Sequence, residues 1–101
     1  MTFYEIPTIN KNQQFTIVLN SVKYTFTIIW SAANNTWVID IGDYQNTPII
    51  SGIPMVANVD LLKPFEHLNF GGKLIAVTDS GPNTPPTSEN LGASGHLYWV
   101  I

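Results

Sequence analysis

The chain has 101 residues, of which 45% are hydrophobic and only 11% charged, with a formal net charge of −3. That length supports one core of ordinary size, and a charged fraction far below the roughly 25% of a typical soluble domain leaves Asn, Thr and Ser to cover the surface, a composition suited to burial against other subunits. The absence of cysteine excludes disulfides, thiolate chemistry and cysteine-ligated zinc or iron–sulfur sites, and the absence of arginine leaves only Lys11, Lys23, Lys63 and Lys73 to neutralise phosphates, which argues against tight nucleic-acid binding.

No apolar run approaches the roughly 20 residues of a membrane helix, and "MTFYEIPTIN" lacks the basic and apolar regions of a secretory signal. The expectation is a soluble chain made in the cytoplasm, with no membrane partner.

Period-two alternation begins at "QFTIVLNSVKYTFTIIW". Phe15, Ile17 and Leu19 share one face, and after a turn near Asn20-Ser21 the residues Val22, Tyr24, Phe26, Ile28 and Trp30 alternate with Lys23, Thr25 and Thr27. This predicts a β-hairpin over residues 14 to 30. "SAANN" has turn composition, and "TWVIDI" predicts a third strand with Trp37, Ile39 and Ile41 on one face and Val38 and Asp40 on the other. "GDYQNT" turns the chain again. Beyond it Pro48 and Pro54 flank Ile49, Ile50 and "GIPMV", which predicts an edge strand or irregular extended chain.

In "NVDLLKPFEHL", Asp60 can cap a helical turn that carries Leu61, Leu62 and Phe65, with Pro64 near its start. "FGG" turns the chain at Gly71 and Gly72, and "KLIAVTD" reads as a strand. "SGPNTPPTSENLGASG", at about 80–95, is a long loop stiffened by prolines, and "HLYWVI" is strand-like to its last residue. The pattern predicts one all-β domain over residues 1–101, a small antiparallel barrel or sandwich with at most one short helical turn. Its predicted core holds Phe15, Ile17, Tyr24, Phe26, Ile28, Trp37, Ile39, Leu74 and either Ile75 or Val77.

Asp40 and Asp43 are the candidates for paired carboxylates, as in glycoside hydrolysis. Their spacing points them in opposite directions on a strand and Gly42 separates them, so Asp43 reads as a turn residue bonded to nearby backbone N–H. Trp30 and Trp37 share faces with core residues. Trp99 opposes Tyr98 in the last strand and is taken as the tryptophan available to an interface. His67 and His96 belong to no metal-ligand motif, and no GxSxG, SxxK or phosphate loop occurs. These residues predict no catalytic site, metal or cofactor. The other readings are a small carbohydrate- or receptor-binding module and a small hydrolase using Asp40.

In order along the chain, "YEIP", "FTIVLNSVKYTFTIIW", "WVIDIGD", "GIPMVANVDLL", "FGGKLIAVTD", "PPTSENLG" and "HLYWV" resemble the small plug proteins of contractile-tailed bacteriophage baseplates, typified by a cyanophage baseplate plug. Asn58 departs from that pattern, standing where a small residue or glycine is expected, and the basic set is lysine only. The resemblance implies a virion structural protein at the tail axis that helps close the distal end of the tube and joins it to the hub and spike. Its implied partners are the tail tube or tube initiator, the hub, the spike and other copies of itself, in a ring of three or six under closed cyclic symmetry. The assembly surface is expected in the 80–95 loop and the C-terminal strand, at Pro85, Pro86, Leu91, Tyr98 and Trp99.

Overall fold

The computed structural model describes residues 2–81 and 83–101; Pro82, part of the 80–95 loop, lies outside the described residues. The strands are β1 (Phe3–Ile6), β2 (Gln13–Leu19), β3 (Val22–Ser31), β4 (Thr36–Asp43), β5 (Pro48–Pro54), β6 (Lys73–Thr78) and β7 (Gly95–Val100), with a 3₁₀ helix at Lys63–Leu68 between β5 and β6. They form two antiparallel sheets, β2-β3-β4-β5 and β1-β7-β6, and the sheets are not closed into a barrel. Of the two architectures anticipated for this all-β chain, the sandwich is the one observed.

The meander β2-β3-β4-β5 follows directly from the alternation. Asn20 and Ser21 both have positive φ, 52° and 67°, as a two-residue type I′ turn requires, and the turn's twist matches that of the strands it joins. It sets Phe15 opposite Phe26 and Ile17 opposite Tyr24; β4 then places Ile41 against Phe26, Ile39 against Ile28 and Trp37 against Trp30. One face of the sheet is therefore apolar along three strands. β5 pairs with β4 through two register shifts. There Gly52 has φ +81, and its N–H donates to Asp40 Oδ1 at 2.7 Å.

The core draws on both inner faces. Phe26, Ile28, Trp37, Ile39 and Ile41 meet Leu74, Ala76, Leu97 and Trp99, and Met55, Leu61, Leu62, Phe70 and Leu91 from the connections close the ends. Each large apolar side chain so buried stabilises the fold by about 1.5–3 kcal/mol. Two parts of the predicted core need correction. On β6 the inward residues are Leu74, Ala76 and Thr78, so Ile75 and Val77 lie on the outer face. Phe15 and Ile17 point inward but are only partly buried, because β2 is an edge strand with no described strand laid along its free side.

The short helix also starts differently from expectation. Leu62 occupies the N-cap without a side-chain cap bond. Asp60 Oδ1 instead accepts from Leu62 N (3.0 Å) and Leu74 N (3.2 Å), so Asp60 fastens the preceding turn to β6 rather than capping the helix. Asn58 has φ 57°, the left-handed region glycine favours and asparagine tolerates, which accounts for its standing where the family pattern leads one to expect a small residue or glycine.

Candidate assembly surface

The outer face of β1-β7-β6 follows from the register: Glu5 lies opposite Tyr98, Tyr98 opposite Ile75, and His96 opposite Val77. The Phe3 ring meets the Tyr98 ring edge-on, with centroids 6.0 Å apart, and Phe3 is more than half exposed. A half-buried aromatic and aliphatic patch thus faces outward from this sheet. The outer face of the other sheet is mixed: Gln14 Nε2 donates to Thr27 Oγ1 (2.9 Å) and Thr25 Oγ1 to the Asp43 carbonyl (2.8 Å), beside exposed Val18 and Ile29.

Beside the patch, the His96 ring is held between two carboxylates, with Nδ1 2.7 Å from Glu5 Oε2 and Nε2 3.0 Å from Asp79 Oδ1. The hydrogen bond to Glu5 is the largest cause raising the His96 pKa; burial opposes it, and the charges of Glu5 and Asp79 add to the rise. Burial, then the same two carboxylates, raise Tyr98, which stays a neutral phenol. The bracket links β1, β7 and the turn after β6 across this surface.

The 80–95 loop is fastened down rather than free. Trp37 Nε1 donates to the Thr87 carbonyl at 2.8 Å, Thr87 N donates to Asn90 Oδ1 at 2.7 Å, and Asn10 Nδ2 reaches the Glu89 carbonyl at 3.4 Å. Leu91 enters the core. A Cβ on Gly95 would lie 2.8 Å from Pro86 Cβ, so Pro86 lies against the start of β7 and is itself buried.

Burial divides the expected contact set. Leu91 and Trp99 are 1% and 3% exposed, and with buried Pro86 they belong chiefly to this chain's own interior. Pro85 is exposed and Tyr98 partly so, and these two remain. Trp99 and Tyr98 alternate as supposed, but it is Tyr98 that looks outward. β7 is also the centre of its sheet, flanked by β1 and β6, so it has no edge to offer a neighbour. Sequence reasoning missed Phe3 and Glu5, because a four-residue strand in "FYEIP" is too short for alternation to register, and Asp79, because its partner His96 lies 17 residues further along the chain.

The other singled-out residues hold the chain together. Asp43 Oδ1 accepts from Gln45 N and Thr47 N, both at 2.9 Å, and Asp40 is engaged at the β5 bulge, so the two carboxylates are spent on backbone in different places. Trp30 packs edge-on against buried Trp37 at 5.3 Å. His67 is exposed on the short helix. Gly71 turns with φ +87, and a Cβ on Gly72 would lie 2.7 Å from both Trp99 Cζ2 and the Val100 carbonyl; only glycine lets the turn pass so close beneath β7.

Residues 3–101 match the family described as cyanophage baseplate Pam3 plug gp18. The chain belongs to that family. It is accordingly a structural protein of the virion, located in the tail baseplate and in contact with other baseplate components. Among individually curated proteins, none matches.

Proposed function

We propose that the protein is a non-enzymatic plug that helps close the distal end of the tail tube and joins it to the hub and spike, as a ring of three or six copies. The observation that carries this reading is how the chain uses its acids. Glu5 and Asp79 hold His96, Asp40 holds the β5 bulge, Asp43 its turn, Asp60 the approach to β6, and Glu66 pairs with Lys63. Carboxylates engaged in this way act as fasteners. What remains on the surface is weakly charged and partly apolar, which suits permanent contact with other subunits. Phe3, Ile75, Val77, Pro85 and Tyr98 are the proposed contacts, and such a surface gives no footing for nucleic acid.

Electron microscopy of purified tails tests the placement. The expected density for this chain lies on the tube axis at the distal end, repeated three or six times; density on the baseplate periphery would reject the reading. Catalysis is checked separately by incubating the purified protein with peptidoglycan. No cleavage is expected, and cleavage abolished by Asp40→Asn in a folded protein would restore the hydrolase alternative.

A further inference from the structure

The sandwich is guarded on one flank and open on the other. On the guarded flank, Asn58 N donates to the Ala76 carbonyl and Leu61 N to the Leu74 carbonyl (2.9 and 2.8 Å), so residues 57–61 cover the outer edge of β6. β5 carries Pro48, Gly52 and Pro54, residues that blunt a strand edge. Neither device occurs on β1 or β2, whose sequences "FYEI" and "QQFTIVL" contain no proline, glycine or lysine.

The hydrogen-bond phase identifies the free groups. Thr2 and Ile101 exchange both backbone bonds, so in the alternating antiparallel pattern Tyr4 and Ile6 bond to β7, while Phe3 and Glu5 direct their N–H and C=O away from it. The type I′ turn closes on Leu19 and Val22, which by the same alternation turns Gln14, Thr16 and Val18 outward from β3. None of these outward backbone groups finds a partner among the described residues.

A groove runs along this flank. One part, about 300 Å³, lies between Tyr4–Ile6 and Ile17–Asn20 with Trp99 in its wall; the other, about 540 Å³, continues between Pro7–Ile9 and Gln13–Ile17. Together they follow all of β2, roughly 20 Å at ~3.3 Å per residue. The lining is apolar but unfinished: Tyr4 sits opposite buried Trp99 yet is 53% exposed. The buried Thr8 hydroxyl, in the same wall, has no hydrogen-bond partner among the described residues.

We infer that this groove takes up an extended segment of another baseplate subunit by strand addition. The outward N–H and C=O groups of β2 specify an extended backbone, since only a strand satisfies an edge along its length. Ile6, Ile17 and Trp99 specify that its alternate side chains be apolar. A second copy of this chain would bring an edge still joined to its own sheet, whereas a groove walled by the β1 segment on one side and β2 on the other admits a single free strand. The inference rests on the baseplate reading but not on copy number or axial position.

The test measures incorporation into purified baseplates by quantitative mass spectrometry. Thr16→Pro removes an outward N–H and Val18→Lys adds a charge on the same edge; Val59→Lys, at another exposed valine on the guarded flank, is the control. Both β2 variants are expected to fall at least tenfold in incorporation while circular dichroism and Tm stay near wild type, and the control to incorporate normally. In assembled baseplates the amides of Gln14, Thr16 and Val18 should exchange at least tenfold more slowly than in the isolated protein. Should Thr16→Pro fail to fold, Val18→Lys and the exchange measurement decide. Normal incorporation of folded Val18→Lys, or unchanged exchange, overturns the groove proposal alone. So does a dimer of the isolated protein that protects the same amides. Absence of the wild-type protein from baseplates overturns the baseplate reading itself.

Discussion

The two flanks of this sandwich solve the same problem in different ways. Where β5 and β6 end their sheets, proline, a bulge glycine and the hydrogen-bonded segment 57–61 occupy or blunt the edges. Where β1 and β2 end theirs, the groups face outward beside apolar side chains left half covered. Exposed strand edges invite pairing with another chain, so a protein that protects one pair and leaves the other bare has kept the second for a partner. The difference is local: both flanks share one core, and Trp99 forms the floor of the open one.

That shared floor makes Trp99→Ala the most damaging change. It empties a buried indole beneath both sheets and should cost about 3–5 kcal/mol, read as a fall in denaturation midpoint. A loss below about 1 kcal/mol would mean that the open flank is not part of the core, and the contrast with the guarded flank would then lose its basis.

Asp60→Ala attacks the guarded flank directly. It frees the N–H groups of Leu62 and Leu74 from their carboxylate and should cost about 1.5–3 kcal/mol in chemical denaturation. Amide exchange at Leu74 should speed up while β2 is unaffected. Equal loosening of both flanks would break the comparison.

The His96 bracket ties the open flank's β1 to the rest of its sheet. Because the folded-state pKa is raised, the stabilisation is fully present below the unfolded value of about 6.5 and fades as pH rises through the folded value. Stability should therefore be greater at pH 6 than at pH 8 by less than about 1 kcal/mol, since Glu5 and Asp79 are largely solvent-screened. His96→Gln should flatten that dependence in a Tm series across pH. The smallest effect is expected from Val18→Lys, within about 0.5 kcal/mol of wild type, because Val18 is 62% exposed; a larger loss would show that the isolated chain itself depends on this edge.

Much of the four-stranded sheet was legible from alternation, because β2, β3 and β4 keep one face apolar throughout and make the other mixed, with Gln, Thr, Lys and Asp among Val18, Ile29 and Val38. Asn20-Ser21 marked the turn for a conformational reason that needs no tertiary context. β7 was different. In "HLYWVI" both faces carry apolar side chains, so period two separated Trp99 from Tyr98 without saying which was inward; the structure buries Trp99 and turns Tyr98 outward. The 80–95 loop misled for a related reason: proline content reports stiffness, but whether a stiff loop projects or lies down depends on a receptor elsewhere, here the Trp37 indole N–H and the pocket that takes Leu91.

The sequence by itself determined the all-β class, the hairpins and a charge-poor surface, since these depend on side-chain order and on local backbone preference. Tertiary structure alone decided that β1 joins β7, that His96 lies between Glu5 and Asp79, and that the β1 and β2 edges stand open while β6 is covered. Each of those juxtaposes residues far apart in the chain, and no period or motif records a distance across the fold.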